Sequence, residues 1–395
     1  MIDIEQTRAQ ILRESSLAGW LFHNIQHRDE IADLILQIPP DRVNSRPWVY
    51  LLPAEGTPVK IVHEIEAGIL DHLPGDVHRY HARADFIREL SHALSGHGRT
   101  ARPGRLAAQY SREMPVGSFL DHGTAVLLES LGAVLVPSQD LVARILGVLD
   151  AEGARSHDAA AGILFEAVGF AWAGITEAIR GSSTVRESDV QARILSYLAD
   201  QGLAGEAPVV AAGIHSADPH YAPRDGGAAL REGDVVQLDL WAKAKTPRAV
   251  YADISWVGIL AREPSPRHVE VFEAVMGARE AAVALIERCL AEGREVRGSD
   301  ADRAARAAIE ARGFGSGLRH RTGHSIGQRV HGFGVNLDSI EFPDDRPLRE
   351  GACFSIEPGV YLEDFGMRTE IDGRIEAGRL VISGGDRQRR LLVRE

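Results

Sequence analysis

The chain has little of what marks several protein classes. It contains two cysteines, Cys289 and Cys353, in 395 residues, too few for a disulfide framework or a cysteine-rich zinc site. It has no block of Lys or Arg and a formal net charge of -12, which argues against nucleic acid or an anionic membrane as a partner. The N-terminus lacks a basic segment followed by an apolar run, so no secretory signal is expected. These absences predict a cytoplasmic protein.

Apolar residues are frequent but do not form long uninterrupted runs. They make up 44% of the chain, enough for substantial cores, and the length predicts two or three domains. The most apolar stretch, residues 159–175, contains Glu166 and barely reaches the length that crosses a bilayer. We therefore expect a buried helix there and no membrane partner.

The organisation of the chain changes near residue 150. Short β-rich segments alternate with helical stretches before that point, which predicts a small α/β domain over residues 1–150. Residues 151–395 follow the order helix, helix, strands, helix, helix, strands, an α+β layout that hints at a twofold repeat without a fixed period. Ser188 and Ser299 are predicted to cap the second helix of each pair.

Carboxylates stand in apolar surroundings in the second region. Asp239 and Asp253 lie in an apolar stretch, and Glu357 and Glu370 follow further along with His324. Burying carboxylates unpaired is costly, so four of them with a histidine indicate a pair of bound cations as the compensating charge. The residues alone therefore predict a dinuclear metallohydrolase.

These motifs carry a family resemblance. The five residues above, in that order, resemble the metal ligands of the M24 metallopeptidases, which have the pita-bread fold. The resemblance covers residues from about 151 to the C-terminus, and residues 1–150 resemble more weakly the N-terminal domain of creatinase and prolidase. It implies two divalent ions per chain, with Mn²⁺ favoured and Co²⁺ or Zn²⁺ as alternatives, because the ligands are mostly oxygen. The motifs that carry it are His220-Tyr221, His320, the Gly-His-x-x-Gly-x-x-x-His run at 323–331, Glu357-Pro358-Gly359-x-Tyr361 and Arg368-x-Glu370.

The resemblance also implies roles for individual residues. Asp253 and Glu370 would bridge the ions, and Glu357 would also act as the general base that handles the proton of the nucleophile. His331 and His220 would hydrogen-bond the substrate carbonyl or the tetrahedral intermediate. The residues expected to bind substrate or support the ligands are His320, Arg368 and Tyr361.

Two departures from the family pattern stand out. Asp239 and Asp253 are 14 residues apart, so the hairpin between them must be longer than usual. Glu370 lies in Arg-Thr-Glu-Ile-Asp, where many relatives have Glu-Asp, so the group that supports Glu370 is expected to differ.

The predicted function is hydrolysis of Xaa-Pro bonds, favouring an Xaa-Pro dipeptidase (prolidase) and leaving open an Xaa-Pro aminopeptidase that acts on longer peptides. Arg368, Arg346 and Arg329 are candidates for reading a substrate carboxylate. The expected partners are a small peptide substrate and a second copy of the chain in a homodimer.

Two rival interpretations are weaker. One is a non-catalytic peptide-binding module of the same fold, which is disfavoured because no ligand is missing. The other is a serine nucleophile at Ser325 in Gly-His-Ser-Ile-Gly, a motif that needs a strand before the serine and a helix after it.

Overall fold

A computed structural model describes residues 4–13, 17–96 and 104–394. The first three residues of the N-terminal segment discussed above lie outside this part. The chain divides into two compact units, Met1–Leu146 and Gly147–Glu395. This division lies four residues before the boundary that the sequence predicts.

The first unit is built on a six-stranded mixed sheet in the order β4-β3-β2-β1-β5-β6. β1 pairs antiparallel with β2 and parallel with β5. Its core consists of apolar side chains from the strands and from α3 and α4, including Leu21, Leu51, Ile61, Leu90 and Leu128. The elements are α1 (Ile4–Arg13), β1 (Leu17–Asn24), α2 (Glu30–Leu36), β2 (Trp48–Pro53), β3 (Val59–His63), β4 (Asp76–Tyr80), α3 (Arg83–Gly96), β5 (Arg105–Ala108), α4 (His122–Ser130), β6 (Val134–Pro137) and α5 (Gln139–Ile145).

The second unit begins with a helix pair and a hairpin. Apolar side chains of α6 and α7 pack against the sheet formed by β7 to β10, in one core. The long strands β9 and β10 are antiparallel neighbours, and β7 and β8 pair with β9. The elements are α6 (Ala151–Arg180), α7 (Glu187–Asp200), β7 (Leu203–Gly205), β8 (Val209–Ala212), β9 (Val235–Ala244) and β10 (Ala252–Ile259).

A second helix pair and a second set of strands complete this unit. α8 and α9 pack against β11 and β14, and β14 pairs antiparallel with β11 and β15. The elements are α8 (Pro266–Ala291), α9 (Gly298–Ala311), β11 (Cys353–Ile356), β12 (Gly359–Tyr361), β13 (Gly366–Arg368), β14 (Ile371–Glu376), β15 (Arg379–Ile382) and β16 (Leu392–Val393). We call residues 147–261 and 262–395 the first and second halves of the unit.

Two short sequence motifs occur once in each half of the unit. In both halves the same backbone hydrogen bond joins the first motif to the second. Val-Arg-x-Ser-Asp starts at Val185 and again at Val296, and Leu-Arg-Glu-Gly starts at Leu230 and again at Leu348. The amide of Leu230 donates to the Val185 carbonyl at 2.9 Å, and that of Leu348 donates to the Val296 carbonyl at 2.9 Å. The expected twofold layout is therefore present, with unequal spacing between the repeats because the loops differ in length.

Both predicted helix caps are wrong by two residues, and in the same way. The N-cap residues are Arg186 in α7 and Arg297 in α9 rather than Ser188 and Ser299. In each case the aspartate three residues on reaches back to the amide of the N-cap arginine, at 2.8 Å for Asp189. The carboxylate thus satisfies an amide that the helix leaves without a partner.

The apolar stretch at 159–175 lies inside α6. This helix is long and apolar enough to cross a membrane by length and composition, and half of its most apolar window is buried within the protein. Leu164, Val168, Trp172 and Ile175 are among its side chains in the core with β9 and β10. Its apolar character is therefore explained by packing against the sheet.

Candidate metal centre

The first two predicted ligands lie on the two paired strands of the long hairpin. Asp239 lies on β9 directly opposite Ser255 of β10, and Asp253 lies two residues before Ser255. Side chains two residues apart on a strand point to the same face. Both aspartates therefore project from one face of the hairpin. The extra residues between them lie at the turn end of the hairpin, towards which β9 extends as far as Ala244.

The two glutamates are brought together by the β11–β14 pair. The register pairs Ile356 with Ile371. Glu357 directly follows β11 and Glu370 directly precedes β14, so the two glutamates lie next to each other at the same end of this strand pair. The amide of Glu370 donates to the Ser255 carbonyl at 2.9 Å. This bond joins the second half to the first at the strand that carries Asp253.

His324 lies on a segment that runs beside β11. The amide of Ser355 donates to its carbonyl at 2.8 Å, and the close approach requires a glycine at 323, where a Cβ would collide with the Ser355 carbonyl. The Nδ1 of His324 lies 3.1 Å from the Ser325 carbonyl. Since a carbonyl only accepts, Nδ1 carries the proton and Nε2 keeps a lone pair for a metal.

The ligand atoms converge in a buried cluster. One possible ligand atom from each of Asp253, His324 and Glu370 lies within 4.8 Å of the ligand atoms of the other two. The Nε2 of His324 is 3.6 Å from Asp253 Oδ2 and 3.4 Å from Glu357 Oε1. The structure thus brings together Asp253, His324, Glu357 and Glu370, as the sequence predicts.

Unsatisfied oxygens show that this cluster fits cations. Within the described residues, Asp253 Oδ1 and Glu370 Oε1 are buried without a hydrogen-bond donor. Burial and the neighbouring carboxylates raise the pKa of Asp253 and of Glu370 well above its usual value. Packing several carboxylates together in this way is stable when a cation compensates their charge.

Glu357 differs from the two buried acids beside it. Burial raises its pKa, but the imidazoles of His324 and His320 and the guanidinium of Arg368 outweigh burial, so the pKa of Glu357 is lowered. Its Oε1 also accepts a hydrogen bond from the Ser355 hydroxyl at 3.1 Å. The pKa of Glu357 is thus shifted in the opposite direction to those of Asp253 and Glu370, which suits a proton acceptor.

Arg368 connects Asp239 to the aromatic side of the site. Its Nη2 donates to Asp239 Oδ2 at 2.5 Å, and its Nη1 donates to the Tyr361 hydroxyl at 2.8 Å. The other oxygen of Asp239 accepts from the Ser255 hydroxyl at 2.7 Å. The Nε2 of His320 lies 2.8 Å from the Tyr361 hydroxyl. Arg368, Tyr361 and His320 therefore form one chain of contacts that orients Asp239.

The two remaining histidines lie at the rim of the cluster. The rings of His331 and His324 meet edge to face with centroids 4.3 Å apart. Desolvation, then His324 and Arg321, lower the pKa of His331 to about 4, although the residue keeps a solvent-exposed edge. His220 is exposed and close enough to contribute to that lowering. A neutral His331 imidazole can donate from one nitrogen, which is the role predicted for this residue.

Asp372 is a buried group near the centre that the sequence analysis did not assign. Its Oδ2 accepts the amide of Asp253 at 2.8 Å, and burial and Asp253 raise its pKa well above its usual value. His157 lies 3.7 Å away on α6 and contacts Cys353. The alternation of Glu370 and Asp372 along one strand face was the signal that could have revealed it.

Two other roles that the sequence raised, a rival serine nucleophile and a carboxylate-reading arginine, meet local obstacles. The Ser325 hydroxyl is buried and accepts the Gly334 amide at 2.9 Å, and no helix follows it in the described chain, so the nucleophile interpretation is wrong. Arg346 is bound to Asp344 at 2.7 Å and to the Gly334 carbonyl. Arg368 and Arg346 therefore both act inside the protein, and Arg329 stacks on Phe333 with its guanidinium 5.8 Å from the ring centre.

The fold and the cluster define a class: a twofold-repeated α+β domain with a carboxylate-rich group able to bind metal. Residues 157–377, more than half of the chain, match metallopeptidase family M24. The chain belongs to this family, which confirms the resemblance seen in the sequence.

Two similar proteins place the chain further. It is 34% identical over 163 residues to an Xaa-Pro dipeptidase of Lactobacillus delbrueckii subsp. lactis, a match of 41% of this chain and 40% of that protein. The chain thus covers less than half the length of the curated relatives that it matches first. The crystal structure of dipeptidase PepE from Mycobacterium ulcerans aligns with 99% of this chain, and the alignment includes 96% of the PepE chain. The TM-score is 0.75 and the sequence identity is 24%.

The same fold also occurs outside the peptidases named above. The N-terminal domain of the FACT complex subunit SPT16 from Cicer arietinum (chickpea) aligns with 98% of the chain, and 98% of it is covered, with a TM-score of 0.68 and 13% identity. These likenesses confirm the pita-bread fold with a preceding N-terminal domain. The fold alone does not decide the activity.

Proposed function

We propose that the protein is a dinuclear metallopeptidase that hydrolyses Xaa-Pro bonds, favouring dipeptides. The observation that carries the proposal is the buried cluster of Asp253, His324, Glu357 and Glu370, in which oxygens of Asp253 and Glu370 have no donor among the described residues. An Xaa-Pro bond has no amide hydrogen for an enzyme to grip. A site that works by polarising the carbonyl suits such a bond.

The five predicted ligands would divide between two metal sites, with two of the ligands shared. Asp253 and Glu370 would bridge two ions, Asp239 would complete one site, and His324 with Glu357 would complete the other. When bound, the ions would lower the pKa of a water molecule and polarise the scissile carbonyl. Mn²⁺ suits the oxygen-rich set, and Co²⁺ or Zn²⁺ would also fit.

The side chains around the ligands would handle protons and orient the substrate. Glu357, whose pKa its neighbours lower, would accept the proton of the attacking water and pass it to the leaving nitrogen. His331 and His220 would donate to the oxygen that becomes negative in the transition state. Arg368, Tyr361 and His320 would hold Asp239 in place through their chain of hydrogen bonds.

Hydrolysis of matched substrates tests this proposal. Xaa-Pro dipeptides and Xaa-Pro-Yaa tripeptides should be compared with and without Mn²⁺, together with Xaa-Ala dipeptides as a control. We expect Mn²⁺-dependent hydrolysis of the dipeptides. Preference for the tripeptides would support an Xaa-Pro aminopeptidase, the second candidate, and inactivity on all Xaa-Pro peptides would contradict both.

A peptide-binding module is the alternative from another class, since the fold is shared with a subunit of the FACT complex. Metal analysis of the purified protein separates it from a peptidase. About two equivalents of Mn, Co or Zn per chain would support the peptidase, as expected for a two-metal site. Absence of metal after Mn²⁺ is supplied would favour the binding module.

The proposal extends to assembly and location. We expect a homodimer, since twofold pairing is the commonest assembly of soluble oligomers; sedimentation of the intact chain tests this, and a monomer would contradict it. The N-terminal unit would correspond to the creatinase/prolidase N-terminal domain. Both cysteines are free and buried, which supports a cytoplasmic location.

A further inference from the structure

One buried carboxylate in the first half has no role in the mechanism above. Glu187 is the first residue of α7, and its side chain is fully buried. The chain that passes in front of it, residues 213–228, follows β8 and carries His220. We call these residues the His220 loop.

Glu187 binds this loop at its beginning, its middle and its end. Its Oε1 accepts the amide of Ala212 at 2.8 Å and lies 2.9 Å from Nδ1 of His215. Its Oε2 accepts the Tyr221 hydroxyl at 2.8 Å and the amide of Ala228 at 2.6 Å. Both carboxylate oxygens are therefore filled, and all four donors belong to the loop or to the residue next to it.

The loop is shaped around this carboxylate. Gly227 has a φ of +70°, and a Cβ there would collide with the Glu187 side chain. A left-handed residue without a Cβ is therefore required where the loop closes on the acid. The rings of His215 and Tyr221, which both bond Glu187, stack with centroids 4.3 Å apart. The loop is thus held in one conformation by contacts that meet at a single side chain.

The same loop touches the metal centre beside His220. The carbonyl of Pro219 accepts from Nη1 of Arg368 at 3.3 Å, and the Ser216 hydroxyl accepts the amide of Gly366 at 3.0 Å. Pro219 and Tyr221 flank His220, and the first is bound to Arg368 while the second is bound to Glu187. The backbone of His220 is therefore fixed between the metal centre and the buried acid.

Helix capping does not account for Glu187. The amide of the N-cap residue Arg186 is already satisfied by Asp189 at 2.8 Å, and the second half starts the equivalent helix with Gly298. Burying a carboxylate is costly unless its hydrogen bonds compensate. The contacts of Glu187 all serve the loop, which indicates a requirement for loop geometry and not for the helix.

We propose that Glu187 is a positioning residue that sets the place of His220 at the metal centre by fixing the His220 loop. The catalytic part of this proposal rests on the proposed function, in which His220 donates to the developing oxyanion. Its consequence is that Glu187 should affect turnover through His220 and leave metal binding unchanged.

A double-mutant cycle tests the coupling. Glu187→Gln keeps the shape of the side chain but turns one acceptor into a donor that faces the donors of the loop. We expect kcat to fall about 10- to 100-fold, the range for groups that orient active-site residues, with KM and metal content little changed. In a His220→Ala background, Glu187→Gln should change kcat less than about twofold, because coupled residues are not additive. Glu177→Gln, an exposed change on α6, is the matched control.

Hydrogen exchange supplies a readout that does not depend on turnover. Amides of residues 212–228 should exchange about 10- to 100-fold faster in Glu187→Gln, since hydrogen bonds to a charged group are lost. Tyr221→Phe removes one contact only and keeps the proposal testable if Glu187→Gln does not fold; it should accelerate exchange in the same segment to a smaller extent.

The outcomes separate this proposal from the proposed function. Unchanged exchange in residues 212–228 would overturn the proposal, and so would an equal loss of kcat with and without His220. A wild-type protein that fails to hydrolyse any Xaa-Pro peptide, while Glu187→Gln still loosens the loop, would instead overturn the proposed function and, with it, the catalytic part of this inference.

Discussion

The two halves of the second unit share a frame but hold their histidine-bearing loops differently. In the first half, Glu187 binds the His220 loop through amides, a hydroxyl and a histidine. In the second half, the acid is Asp302 of α9, whose Oδ1 accepts the amide and hydroxyl of Thr322 at 2.9 and 2.6 Å. Its Oδ2 accepts the Ser339 amide at 2.8 Å and pairs with Arg306 at 3.0 Å.

The comparison separates what the repeat supplies from what each half adds. Asp239 and Glu357 both lie nine residues after the start of a Leu-Arg-Glu-Gly repeat, and Asp253 and Glu370 each precede an isoleucine of the returning strand. The carboxylates thus come from the repeated frame. The histidines come from the loops between the two repeats, which differ in length and sequence between the halves. A common backbone therefore sets the four carboxylates among the predicted metal ligands, while the unequal loops supply His324 and the histidines around the centre.

The largest expected effect comes from removing a carboxylate of the frame. Glu370→Ala should abolish both hydrolysis and stoichiometric metal, because water cannot replace a bridging carboxylate without changing the charge of the site. Metal analysis and turnover on an Xaa-Pro dipeptide measure this, with the exposed Glu363→Ala as control. Two bound ions and normal turnover in Glu370→Ala would show that the ligand assignment is wrong.

Replacing Asp302 tests how much its ion pair and hydrogen bonds stabilise the second half. Asp302→Ala leaves Arg306 and the donors of Thr322 and Ser339 without their buried partner. Losing one member of a buried ion pair typically costs about 3–5 kcal/mol, and we expect the free energy of unfolding to fall by that amount. Chemical denaturation measures it, with Glu310→Ala, an exposed change on the same helix, as control. A change below about 1 kcal/mol, typical of an exposed pair, would remove the parallel with Glu187.

His331 tests whether the second-half loop contributes to chemistry rather than to assembly. His331→Ala should keep the fold and both metals but lower kcat about 10²–10³-fold, the range for losing one oxyanion donor. Steady-state kinetics combined with metal analysis give the answer. If kcat does not change, His331 is a packing residue, and the His220 side of the centre carries the donor role alone.

The smallest effect concerns pH and stability. Asp253, Glu370 and Asp372 have raised pKa values in the folded chain without metal. The folded state then binds more protons than the unfolded state, so these groups make the metal-free protein less stable as the pH rises above about 4, their unfolded value. Bound cations should oppose this. We expect the gap in melting temperature between metal-loaded and chelator-treated protein to widen from pH 5.5 to pH 8; a constant gap would contradict the assignment.

Much of this organisation could be predicted from local patterns. The pita-bread fold and the family follow from the order and flanks of Asp239, Asp253, His324, Glu357 and Glu370 and are confirmed. The predicted N-cap residues lie two positions too far along the chain. The sequence pattern does not show which backbone amide the carboxylate of Asp189 or Asp300 will bond. The roles of the ten predicted site residues stay predictions, although the structure brings Asp253, His324, Glu357 and Glu370 together.

The sequence by itself determined the chemistry that is available: a fixed order of acids and histidines, two repeated motifs, and an acidic composition without basic blocks. Periodicity and spacing are local properties, so they can be read along the chain. Only the tertiary structure decided which groups meet. Asp372 reaches the amide of Asp253 across 119 residues, and Arg368 reaches Asp239 across 129. Glu187 closes on a loop that ends 41 residues later at Ala228. Such contacts depend on strand register and loop closure, which emerge only when both halves pack together.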